Sequence, residues 1–185
     1  MKNELQNSVY YDDKFALSKA VVSLEAILPP PERNITYFCI GSDLSTGDCF
    51  GPLTGTLLKR IGIPNVIGSL DDTVHAKNME EKIRQLNNRN YVVAIDATMG
   101  HFKDVGNLLF GKKPVCPGAA FQRELAPVGD ASVVFNVAAN GFANFLVLGC
   151  ASLNKVWLAS NLLARAISVL SYRRKKGICS SNKYM

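Results

Sequence analysis

The sequence has only two histidines and one tryptophan, and its five cysteines include no C-x-x-C pair. Cys39, Cys49, Cys116, Cys150 and Cys179 show no zinc-ligand spacing, and their odd number does not suit a disulfide scaffold. Neither G-x-G-x-x-G nor G-K-[ST] occurs, so no cofactor is expected. The opening residues MKNELQNSVYYDD lack an apolar signal core. With reduced thiols, that sets an expectation of the cytoplasm. Residues 131–154 are uncharged but interrupted by Asn136, Asn140, Asn144, Asn154, Gly141 and Gly149, which excludes a membrane span there.

Acidic residues are absent after Asp130. Up to residue 164, fifteen Lys and Arg balance the fifteen acids, and the excess of +6 is Arg165, Arg173, Arg174, Lys175, Lys176 and Lys183. Such a cluster can attract an acidic partner. The plainer reading is a solvated helix end whose cations complement the macrodipole, so nucleic acid is not the favoured partner.

What is present is an ordinary globular composition, 48% apolar and 19% charged over 185 residues. One α/β domain over 1–185 is expected, with a basic C-terminal end over 173–185 that is open to disorder. Asp12 or Asp13 starts a helix running to about Leu28, with Phe15, Ala20, Val21, Leu24, Ile27 and Leu28 on one face. Pro29-Pro30-Pro31 ends it. Ile35–Ile40 reads as a central strand, apolar throughout.

A loop of small and polar residues follows, GSDLSTGDCFGP, and Pro52 suits the first position of a helix that Gly62 stops. Val66–Ile67 reads as a strand and Ala76–Asn87 as a surface helix. Tyr91–Asp96 is the clearest strand, ending in a carboxylate. Strand, helix, strand, helix, strand from 35 to 96 describes two crossover units and a parallel sheet. Further strands are expected at Val105–Phe110 and Ser132–Ala138, and Phe145–Leu148 fits strand or helix equally. Ser152 caps a long helix to about Lys176, with Leu153, Val156, Trp157, Leu163, Ala166, Ile167 and Leu170 as its buried stripe.

In an open α/β sheet the ligand crevice lies outside the carboxyl ends of the strands. Asp48 and Asp96 both fall there if their strands are neighbours. Two close carboxylates cannot both ionise cheaply, so the pair can supply an acid and a base, or hold a divalent cation. The plainer alternative is that Asp48 caps the following helix and Asp96 merely ends a strand. Asp43, nearer the strand end, and His101, close to Asp96, are secondary candidates. If a metal is bound, Asp48, Asp96 and His101 are its expected ligands. Cys49 is a weak candidate nucleophile, with no histidine adjacent in sequence.

Gly41–Pro52, followed by Val92-Val93-Ala94-Ile95-Asp96-Ala97, resembles the germination protease of endospore-forming bacteria. It resembles more closely the shorter spore protease-like sporulation protein (YyaC-like) family. Asp48-Cys49-Phe50-Gly51-Pro52 and Ala94-Ile95-Asp96-Ala97 match the two acidic motifs in order, and Cys116-Pro117-Gly118 resembles a third loop. The resemblance covers about Ile35 to Phe145. It implies a three-layer α/β/α sandwich with a mostly parallel sheet, the phosphorylase/hydrolase-like fold shared with hydrogenase maturation endopeptidases. It also implies Asp48 and Asp96 as catalytic residues of a peptidase, a protein or peptide substrate, and a sporulating cell or spore as location. A non-catalytic binding or assembly protein and a metal-dependent maturation peptidase are the alternatives. Homo-oligomers are compatible with either.

Overall fold

The structure, a computed structural model, describes residues 7–117, 126–141 and 144–177. Six strands form one sheet in the order β1-β5-β6-β4-β2-β3. They are β1 (Asn7–Tyr10), β2 (Ile35–Cys39), β3 (Val66–Ile67), β4 (Tyr91–Gly100), β5 (Asn107–Gly111) and β6 (Ala131–Ala139). Strands β3, β2, β4 and β6 run parallel, while β5 is antiparallel to both β6 and β1. The mostly parallel α/β sheet expected from the alternation of elements is present.

Helices cover both faces. Side chains alternate along each strand, so Val93, Ile95, Val133, Phe135 and Val137 point one way. They meet α1 (Ala16–Ile27), α2 (Phe50–Arg60) and α5 (Leu153–Lys175) in the larger core. Phe38, Ile40, Val92 and Ala94 point the other way and pack with Val74, Met79 and Val128. That second layer holds α3 (Met79–Arg84), while α4 (Asn144–Gly149) follows β6.

Several boundaries differ from the expectation for local reasons. Helix α2 begins at Phe50 rather than Pro52, with Cys49 as its N-cap and no side-chain cap bond. Helix α3 is shorter than Ala76–Asn87 because the Asn78 side chain closes a turn on the His75 and Thr73 backbones. Leu153, Trp157 and Phe15 are exposed rather than core residues, since each helix buries a narrower stripe than its apolar content suggested. Ser152 does cap α5, its Oγ accepting from Lys155 N–H at 3.4 Å. Strand β1 had no sequence signal strong enough to place it. Of the basic end, Arg173, Arg174 and Lys175 are the last turn of α5, not a disordered tail. Residues 178–185 and Gly118 lie outside the described residues.

Candidate active site

The chain leaves β2 through α2 toward β3 on one side, and leaves β4 toward β5 and β6 on the other. Between β2 and β4 the winding therefore reverses. Ligand crevices of open α/β sheets form at such switch points, outside the carboxyl ends of the strands. The loop after β2 supplies Asp48, and β4 supplies Asp96.

Backbone contacts hold that loop in place. Gly41, at φ 138°, lies so close to the Asp48 carbonyl that a Cβ would collide with it. Its N–H donates to Val74 O at 2.8 Å. Further along, Gly47 N–H donates to Leu148 O at 2.9 Å, and a Cβ at Gly47 would stand 3.1 Å from Val137. The loop thus reaches from the end of β2 across to β6 and α4, passing the end of β4. Because α2 is capped at Cys49 without a side-chain bond, the Asp48 carboxylate is not spent as its helix cap.

The two carboxyls are in unlike surroundings. Asp96 is 8% exposed and its pKa is pushed up to about 8, first by burial and then by the negative charge of Asp48. One opposing contact is local, the Ala97 N–H donating to Oδ1 at 2.8 Å. Asp48 is also raised by burial, but the Ser42 N–H and the nearby His75 imidazole both favour its ionised form. Of the pair, Asp96 holds its proton the more tightly and Asp48 is the more readily ionised. A buried acid beside a more readily ionised partner is the arrangement that general acid–base chemistry requires.

His75 escaped the sequence reading, which singled out His101. The only sequence signal for it was its place after the Val66–Ile67 strand. In the fold, the Ile40–Val74 bridge and the Gly41–Val74 hydrogen bond bring that segment over the end of β2. The Lys77 N–H donates to His75 Nδ1 at 3.3 Å, so a neutral His75 carries its proton on Nε2. His101, by contrast, is exposed. Strand β4 continues beyond Asp96 to Gly100, which carries His101 roughly 16 Å further along at the usual rise per residue. Asp43 is exposed, and its charge is felt by the Cys49 thiol. Burial, then Asp43 and Asp48, raise the Cys49 thiol, which leaves it protonated and a poor nucleophile.

With this geometry in place, comparison with other proteins is informative. Residues 8–166 match the family described as a protein of unknown function, DUF1256. The chain belongs to that family. It is 41% identical over 142 residues to the uncharacterized protein YyaC of Bacillus subtilis strain 168, covering 74% of this chain and 69% of that one. Among solved structures it is similar to the NiFe hydrogenase maturation protease HycI from Thermococcus kodakarensis KOD1. That match has a TM-score of 0.50 at 19% identity and covers 78% of this chain and 98% of the other. At that identity the likeness is one of fold.

In this DUF1256 chain, no three His, Cys, Asp or Glu side chains among the described residues are grouped to hold a metal ion. The set Asp48, Asp96 and His101 is therefore not assembled, for the reason of strand length just given. Two carboxylates sharing one proton are also a poor donor set for a resident cation. Among the described residues, no helix is long and apolar enough to cross a membrane.

Proposed function

We propose that this chain is an aspartate-dependent peptidase acting on a protein of the sporulating cell or spore. Asp96 is the proton donor and Asp48 the base. Asp48 takes a proton from a water that attacks the scissile carbonyl, and Asp96 delivers its own proton to the leaving amine. The site resets when the proton gained by Asp48 passes to Asp96 by way of solvent, which restores the starting pair. The observation that carries this reading is the buried Asp96, held protonated beside Asp48, whose ionised form the Ser42 N–H and His75 favour against burial. The fold likeness to a hydrogenase maturation protease supports peptide bonds as the target.

Incubating the full chain with small acid-soluble spore proteins tests the proposal. Cleavage should fall by about 10²–10⁴-fold in Asp48→Asn and in Asp96→Asn, the usual contribution of a positioned acid or base. Cleavage that survives either substitution removes that residue from the mechanism.

A second reading, a non-catalytic binding or assembly protein with the same fold, has one observation of its own. Arg33, Arg174 and Lys175 gather round a cavity of about 190 Å³ at the opposite edge of the sheet. An acidic partner seated there would bind in a salt-dependent manner.

A further inference from the structure

Asp48 and Asp96 leave two other oxygens unaccounted for at the switch point. Asn136 stands on β6 beside Thr98 of β4, two residues beyond Val134, the partner of Asp96. Alternation puts its side chain on the face that carries Asp96. Strand spacing and rise place the two Cα atoms roughly 8 Å apart. Asn136 is 2% exposed, yet its Oδ1 meets no hydrogen-bond donor. Its Nδ2 lies tight against Gly100, with Oδ1 the end of the carboxamide turned away. In the loop that carries Asp48, Ser45 Oγ is likewise buried without a partner.

Buried oxygens without donors are costly, and native chains keep few of them. Here there are two, one on β6 beside the strand that holds the buried acid and one on the loop that carries Asp48. Their chemistry specifies the ligand: the Asp48 carboxylate and a carboxamide oxygen call for a partner that offers donors. An extended polypeptide offers an N–H at every second residue along one side. It also carries side chains, and the edge has apolar surface to meet them. Leu44 is 92% exposed on the loop after β2, and Phe102 is 86% exposed on the turn after β4.

We propose that Asn136 orients the substrate, its Oδ1 accepting a backbone N–H of a polypeptide laid across the carboxyl ends of β4 and β6. Ser45 Oγ, on the loop that carries Asp48, takes a second main-chain group. The inference rests on the peptidase reading in one respect, the choice of a polypeptide as ligand. Gly100, the last residue of β4, lies against the carboxamide nitrogen, and Gly106 N–H donates to the Asn136 main-chain O at 2.8 Å, which ties the segment between them to β6.

The test uses the full chain and a pool of acetylated, amidated octapeptides rich in Leu and Phe. Mass spectrometry of the retained peptides reports both binding and cleavage, and titration of the tightest peptide measures its Kd. Asn136→Leu should weaken that Kd about tenfold while leaving the thermal midpoint unchanged or raised, since an apolar isostere replaces an unpaired polar group. Asn136→Ala, which removes the acceptor with a smaller side chain, should weaken binding equally. An unchanged Kd in both variants overturns the proposal, and so does a chain that retains no peptide. A lowered midpoint with binding intact assigns Asn136 to internal structure only, and overturns it too. Asn136-dependent binding without any cleavage refutes the peptidase reading alone. Cleavage with a KM indifferent to Asn136 refutes this inference alone.

Discussion

A carboxyl buried beside another carboxyl changes how the whole protein responds to pH. Asp96 holds its proton up to about pH 8 in the fold, whereas an unfolded aspartate releases it near pH 4. Between those values the folded chain binds a proton that the unfolded chain has lost. Stability therefore falls as pH rises through the window. Asp48, raised in the same direction, adds to the slope. Chemical denaturation at pH 5 and at pH 8 should show a loss of on the order of a few kcal/mol in the wild type. In Asp96→Asn most of that loss disappears, because the amide has no proton to release, and the variant is the more stable protein at pH 8. Equal slopes in the two proteins would mean that Asp96 is ionised in the fold. Both acids were legible in the sequence as strand-end and loop carboxylates. Their difference was not, since Ser42, His75 and the depth of burial become neighbours only through the sheet.

At the level of elements, the contact between α2 and β2 fixes where Asp48 can be. Gly51, in the first turn of α2, lies against the Ile40 carbonyl so closely that a Cβ would collide with it. The obstacle is backbone, which cannot rotate away. Gly51→Ala should cost about 1–3 kcal/mol as the helix is pushed off the strand, measured by denaturant midpoints at constant m. It should also disturb the loop that carries Asp48. A variant as stable as the parent would show that α2 has room to shift. The apolar runs at Ile35–Cys39 and Tyr91–Ile95 announced their strands directly, because a strand buried on both faces needs no polar alternation. The start of α2 was harder to read. Pro52 marked a helix correctly but not its first residue, since a proline is tolerated anywhere in the first turn.

Across the whole molecule, the two edges of the sheet differ in charge. The carboxyl edge holds Asp43, Asp48 and Asp96, while Arg33, Arg174 and Lys175 surround the cavity at the opposite edge. Part of that basic end is structural. The Arg174 guanidinium donates to Pro29 O and Pro30 O at 2.8 Å each, and to Arg33 O at 3.2 Å. It thereby ties the last turn of α5 to the segment entering β2 through three main-chain carbonyls. Arg174→Ala should destabilise the protein by about 1–3 kcal/mol and speed amide exchange in the last turn of α5. Arg174→Lys should recover little of this, because an ammonium lacks the planar fork that spans several acceptors. Full recovery by lysine would reduce the residue to its charge.

The sequence by itself determined the class of fold, the main strands and helices, and the two carboxylates around which the site forms. Those features depend on periodicity, on proline and glycine, and on residues next to one another in the chain. Only the tertiary structure decided that β2 and β4 are adjacent at a switch point, that His75 rather than His101 stands by Asp48, and that Asn136 faces the same edge. It also withdrew Asp48 from the helix cap. Each of these depends on strand order and crossover path, and no local pattern encodes which distant residues a folded sheet brings side by side.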